Sequence, residues 1–258
     1  KEKANAIIYF PEGEFILHTS ADNHEVDGKT QSQTIQIRSG NIILRGAGRD
    51  KTILVMKDPN QPKDEALYSS PMMIDFKHNS GLGSKVGGVA IDIAVTDNAP
   101  QGSFSVKVAS TTGLSVDSWV CLSVKNNDPA YVAKELADGN PTAWELEGMV
   151  DLVKEGVKVY EYHKIKSIKD NVVTFYEPIH KEVNIGYTSF TGDCYNWKIL
   201  SYPHYENVGV EDLTFKGFAE EGFKHHEAWT DDGAYKPLQF TRVVNSWIRR
   251  VRFTSVSE

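Results

Sequence analysis

Apolar residues in this chain come in short bursts, with polar residues between them and Gly, Asn, Asp or Pro at their edges. That is the signature of strands rather than amphipathic helices. Ala6 to Leu17 spells a strand, a Pro-Glu-Gly turn and a second strand, AIIYF-PEG-EFIL. QTIQIRSG, NIILRGAGRDKTILVM, MMIDF and VGGVAIDIAV follow, each predicting strands of about five residues. Only Asp128 to Leu152 has helical character, and Asn140-Pro141 interrupts it.

Two late segments lie over each other. Asn207-Val-Gly-Val-Glu-Asp-Leu-Thr-Phe215 and Asn245-Ser-Trp-Ile-Arg-Arg-Val-Arg-Phe253 share N-x-x-[VI]-x-x-[LV]-x-F, 38 residues apart. Asn41-Ile-Ile-Leu44 opens the same way. A repeated strand unit with loops of variable length predicts a solenoid. Val210, Leu213 and Phe215 should stack on Ile248, Val251 and Phe253 inside it. The matched asparagines should sit at a turn, where a short amide side chain bonds backbone groups left over by the bend.

The texture changes between about 97 and 184. Here GSFSVKVAS-TTGLSVDSWVCLSV and VKVYEYHKIKSIKDNVVTFYEPIH predict antiparallel strands, with a hairpin around Lys169-Asp-Asn171. The expected organisation is therefore solenoid coils over 1–96, an inserted antiparallel β subdomain with a helical excursion over 97–184, and further coils over 185–258. A solenoid tolerates such an insert because each coil touches only its neighbours.

With these residues in view, the chain resembles the pectate-lyase-like superfamily of right-handed parallel β-helix proteins, which includes polysaccharide lyases, glycoside hydrolases and phage tailspikes. IIYFPEGEFIL followed by NIILRGAGRDKTIL is similar to the N-terminal coils of that superfamily, and ENVGVEDLTF…VNSWIRRVRFTSVSE is similar to its central coils. The resemblance covers about two thirds of the chain. It implies an all-β fold and a polysaccharide partner, and it leaves the reaction open because one scaffold hosts many chemistries. The strand pattern runs on to RVRFTSVSE without a closing cap. A further segment or a second chain is therefore expected to cover that end.

Composition narrows the partners. A net charge of −7 over 258 residues disfavours nucleic acid, but a local basic groove on an acidic protein still suits an acidic glycan. No run approaches the roughly 20 apolar residues of a membrane span, so no membrane partner is expected. The expected location is secreted or periplasmic, with a leader already removed. Cys121 and Cys194 match no metal or redox spacing and are free either to pair or to stay reduced.

The densest chemistry lies in Phe223 to Lys236, between the two matched segments. For β-elimination of a uronic acid, a base must take the proton beside the carboxylate while cations stabilise the charge that develops. His225, His226, Tyr235 and Lys236 are the candidate acids and bases. Trp229 and Tyr235 would form a sugar platform. Arg242, Arg249, Arg250 and Arg252 would grip a carboxylate in bidentate fashion. The competing reading pairs these arginines with acids on adjacent coils.

For hydrolysis, two carboxylates must flank the scissile bond, and Glu227, Asp231 and Asp232 are the candidates. No cofactor is assigned with certainty. Ca2+ fits an oxygen-rich loop of this kind better than zinc does, because the histidine spacing is not that of a zinc helix. The sequence thus predicts degradation of an acidic polysaccharide by β-elimination, with glycoside hydrolysis or non-catalytic glycan binding as alternatives. Gly46 to Thr52 lacks the phosphate-loop arrangement and reads as a turn.

Overall fold

The structure is a computed structural model and describes residues 5–136, 154–219, 227–231 and 234–257. It divides into two compact units, Lys1–Asn79 with His204–Glu258, and Ser80–Pro203. Most described residues that form regular structure are in strands.

In the first unit the short apolar bursts become rungs. β1 (Ala6–Phe10) and β2 (Gly13–His18) flank the Pro11-Glu12 corner. β6 (Ile42–Gly46) and β7 (Thr52–Met56) flank the glycine-rich turn. Further along, β16 (Val208–Lys216) and β19 (Trp247–Thr254) each run through the equivalent corner without a break. All pair in parallel, with β1 on β6, β6 on β16 and β16 on β19, and with β2 on β7 and β7 on β16.

The register is the one the repeat predicts. Val210 lies opposite Ile248, Leu213 opposite Val251 and Phe215 opposite Phe253. In the uninterrupted rungs the corner falls at Asp212 and Arg250, where φ is +59° and +52°. The left-handed conformation turns the strand without breaking its pairing on either side.

Asn41, Asn207 and Asn245 also take left-handed φ, at +56°, +56° and +50°, just before their strands. Asn enters that region at lower cost than most side chains, which is why the repeat begins with it.

A second parallel sheet is formed by β5 (Ile35–Ile37), β8 (Ile74–Lys77) and β17 (Leu238–Thr241), with β8 in the middle. A short pair, β15 (Tyr205–Glu206) and β18 (Val243–Val244), leads from there to the asparagine corner. Leu44, Leu54, Ile74, Phe76, Val210, Leu213 and Phe215 come from both large sheets and share one core. The sheets therefore curl around it. Phe215 is fully buried and stacks on Phe253 with ring centres 5.4 Å apart. β3 (His24–Val26) and β4 (Lys29–Gln31) form a hairpin that the hydrophobic pattern does not announce. Asp27 and Gly28, both at positive φ, make its turn.

The second unit is an antiparallel sheet in the order β10 (Ser105–Lys107), β13 (Val172–Phe175), β12 (Val157–Lys169), β11 (Trp119–Asn126), β14 (Tyr195–Ser201) and β9 (Asp92–Ala94). The hairpin expected around Lys169–Asn171 joins β12 to β13, with Asp170 and Asn171 both at positive φ. Its core contains Leu122, Ile165, Phe175, Ile199 and Trp197, together with Tyr131 from α1 (Pro129–Leu136). The rest of the helical stretch expected up to Leu152 lies outside the described residues.

The unit boundaries fall at 79/80 and 203/204, not at the expected 96/97 and 184/185. The reason is pairing. β9 and β14 hydrogen-bond in this antiparallel sheet, although their apolar alternation looks like that of the parallel rungs.

Candidate functional site

Side chains alternate across β16, so Val208 and Val210 enter the core while Gly209 and Glu211 face out. Register puts Arg45 of β6 and Arg249 of β19 on either side of Glu211. The Arg45 Nε–H donates to Glu211 Oε1 at 2.5 Å, and Trp247 Nε1–H donates to Oε2 at 3.0 Å. Arg249 Nε–H donates to the same Oε2. Glu211 is therefore fully buried on the outer face of its own sheet, roofed by the groups that neutralise it.

Burial by itself would push the Glu211 carboxyl up. The donors from Arg249, Arg45 and Trp247 outweigh it and hold the group below the ordinary glutamate range. The Arg249 guanidinium also lies 5.7 Å from the centre of the Trp247 ring.

A second ionic group forms beyond the corner. Arg250 grips Asp212 with two nitrogens, the second at 2.7 Å, and this bidentate bond holds Asp212 below its usual range. Arg252 reaches Asp50 at 2.6 Å. The 47–51 turn that carries Asp50 is fastened to β16: Gly48 N–H donates to the Asp212 carbonyl at 2.9 Å, and the Thr214 hydroxyl donates to the Arg49 carbonyl at 2.5 Å. Among the described residues, Arg45, Arg49, Arg249, Arg250 and Arg252 along this face meet Glu211, Asp212 and Asp50 as their acidic partners. The result is a local excess of guanidinium on a chain of net charge −7. Each guanidinium has five donors, and these bonds use one or two of them.

The residues singled out from sequence are distributed unevenly. His225, His226 and Asp232 lie outside the described residues. Glu227 is exposed, and Trp229 and Asp231 are half-buried. Tyr235 is tied to the end of the last rung: its N–H donates to Ser257 Oγ at 2.9 Å, and its carbonyl accepts the Ser257 N–H at 3.1 Å. Lys236 is buried, and its carbonyl accepts the Met73 N–H at 2.8 Å. Arg242 sits between β17 and β18, away from this row, where it donates to the His78 carbonyl at 2.7 Å. Arg250 and Arg252 do face outward; Arg250 holds Asp212 of the neighbouring rung and Arg252 holds Asp50 of the 47–51 turn.

Among the described residues no group of three or more His, Cys, Asp or Glu is placed to hold a metal. Glu211, Gly209 and Trp247 are not among the residues singled out from sequence. The signal was present in the aligned repeats, where the fifth position reads Arg45, Glu211, Arg249 and alternates in charge.

In the second unit, His163 and Glu161 form a buried pair with His163 Nε2 3.0 Å from Glu161 Oε2. Burial pushes Glu161 up, but His163 and the backbone N–H groups of His180 and Lys181 pull it down further. His163 is thus a packed histidine, stacked on Phe175 at 4.5 Å.

The chain is a mostly β protein of curled parallel sheets bearing a guanidinium-rich outer face. No family model matches it, and no curated protein does. Solved structures similar to it include the Pseudomonas phage phi297 tailspike gp61, at 12% identity and TM-score 0.48, covering 96% of this chain and 29% of that one. The gp54 tailspike of Acinetobacter baumannii bacteriophage AP22, solved in complex with A. baumannii capsular saccharide, aligns at 11% identity and TM-score 0.46, covering 96% and 31%. The tailspike gp49 from Pseudomonas phage LKA1 aligns at 13% identity and TM-score 0.39, covering 82% and 25%. The chain spans less than a third of each of these proteins.

Proposed function

We infer that the parallel rungs belong to a right-handed β-helix of the pectate-lyase-like kind, and that its outer face engages an acidic polysaccharide. The observation that carries this reading is the row Arg45–Glu211–Arg249 beside Trp247, continued by Arg250 and Arg252. It is a rigid, guanidinium-rich strip next to an aromatic ring, set on stacked strands that cannot easily move apart. Guanidinium donors suit the flat carboxylate of a uronic acid.

Glu211 itself is ill-suited to acid–base work, because it is ionised and saturated by three donors. In the β-elimination reading the proton is taken by the 223–236 loop, with His225, His226 or Lys236 as base, and the arginine strip neutralises the developing charge. In the hydrolytic reading Glu227 and Asp232 take the two carboxylate roles. Non-catalytic binding needs the strip alone.

One experiment separates the three. The protein is run through gels containing polygalacturonate or alginate and then incubated with each in solution. Retardation with new ultraviolet absorbance marks a lyase, retardation with new reducing ends but no such absorbance a hydrolase, and retardation alone a binder. Arg45→Gln with Arg249→Gln should abolish retardation. Unchanged mobility of the wild-type protein in both gels refutes the reading.

A further inference from the structure

Two residues before Glu211 the outer face has a gap. Outward positions in register here are Ile7, Ile43, Gly209 and Trp247, one from each rung. Three carry bulky side chains and Gly209 carries none. The Trp247 ring leans into that gap, and a Cβ built on Gly209 would lie 2.5 Å from it. The ring is held there by its Nε1–H bond to Glu211.

What remains is an open recess of about 240 Å³ lined by Asn5, Ala6, Ile7, Asn41, Ile43, Asn207 and Trp247. Its walls are aliphatic and aromatic. Its polar groups are a row of side-chain amides, and among the described residues none that lines it is charged. The Asn207 amide donates to Asn41 Oδ1 at 2.9 Å. Among the described residues this leaves the Asn41 amide as a donor and the Asn207 oxygen as an acceptor.

An apolar hollow with a few convergent donors and acceptors is the usual form of a small-ligand site. This one is smaller than the roughly 300–1,000 Å³ of drug-sized pockets, so it suits one ring rather than several. A ligand that presents C–H groups on one face and hydroxyls at its edge matches all of these features. We propose that the recess beside the Trp247 ring is a subsite for one uncharged pyranose ring, stacked against Trp247 and Ile43 with its hydroxyls bonded by Asn41 and Asn207.

The inference builds on the polysaccharide reading and sharpens it. The guanidinium row lies two residues further along each strand, roughly 6.6 Å away at the usual rise of parallel strands. A neutral sugar in the recess would therefore place an acidic neighbour against Arg45 and Arg249, which selects a glycan of mixed neutral and acidic units.

The test uses the whole chain with methyl β-D-glucopyranoside and methyl β-D-galactopyranoside, read by saturation-transfer NMR. A single ring in a shallow recess should bind at on the order of 1 mM. Signal from ring protons is expected with the wild type and with Trp247→Phe, which keeps an aromatic face. It should weaken about tenfold in Trp247→Leu and in Gly209→Ala, whose new methyl must displace the ring. Gly209 has no left-handed φ, so the backbone accepts alanine once the ring moves aside, and a circular dichroism spectrum matching that of the wild type confirms the fold. Asn41→Gly keeps the turn and removes an amide, and it too should weaken the signal.

Equal signals in wild type and all variants, or no signal from either glycoside, overturn the proposal. Polygalacturonate retardation separates the two levels. Retardation without glycoside signal removes the recess alone, and glycoside signal without retardation removes the acidic-polysaccharide reading alone.

Discussion

The side-chain amide of Asn207 donates to the side-chain oxygen of Asn41, 2.9 Å away across 166 positions of sequence. The bond ties the corner of one rung to the corner of the next, and both residues hold left-handed φ. An alanine in that conformation costs about 1–2 kcal/mol. Asn207→Ala should therefore lose about 1–2 kcal/mol in urea denaturation, whereas Asn207→Gly should lose clearly less. Equal losses would show that the amide bond, and not the turn, sets the preference.

Gly46 is required for a different reason. Its φ is not left-handed, but a Cβ there would stand 2.3 Å from the Asp212 carbonyl oxygen and 2.9 Å from Leu213 Cβ. Neither neighbour is a flexible side-chain end, so the rungs must separate. Gly46→Ala is expected to destabilise the first unit by about 1–3 kcal/mol, the usual cost of overpacking. Gly48→Ala, where the nearest atoms belong to the Lys51 side chain, tests the left-handed turn instead.

Glu211 and Asp212 are both held below their ordinary values. Groups depressed by folding add stability that is complete above their unfolded values and is lost as pH falls through the folded ones. Melting temperature should therefore be insensitive to these two groups at neutral pH and should drop below about pH 4.5, the ordinary glutamate value. Glu211→Gln should lose about 1.5–3 kcal/mol near pH 7, since it weakens bonds to a charged acceptor. It should also flatten the acid limb. An unchanged limb would mean that other carboxylates govern acid unfolding.

Cys121 and Cys194 are both free thiols. Burial pushes the Cys121 thiol up to about 12, so almost no thiolate is present at neutral pH. Cys194 is only half-buried. Titration with a chromogenic disulfide reagent should show one fast thiol in the native protein and two after denaturation. Two fast thiols in the native state would contradict the buried position of Cys121 on β11.

Phe215 stacks between the fully buried Leu54 and the ring of Phe253. Phe215→Ala should cost about 3–5 kcal/mol, as deletion of a buried aromatic does. Phe253→Ala should cost less, because that ring is 43% exposed.

Much of the first unit was legible because its information is local and repeated. The spacing of Asn207–Phe215 against Asn245–Phe253 fixes which residues face in, and a parallel stack keeps that register. The edges of the inserted unit were not legible. Asp92–Ala94 and Tyr195–Ser201 carry the same apolar alternation whether their neighbours run parallel or antiparallel, and hydrophobic periodicity is blind to strand direction. The arginines show a similar limit. Their outward direction follows from the repeat, but their partners come from other rungs and from the 47–51 turn.

By itself the sequence determined the strand-rich class, the asparagine corners and the inward columns of the repeated rungs, because period and turn chemistry act over a few residues. Only the tertiary structure decided that Glu211 is buried under two arginines, that Trp247 leans into the gap over Gly209, and where the two units divide. Those features depend on which distant strands become neighbours, and that choice is made by the pooled burial of a shared core rather than by any one segment.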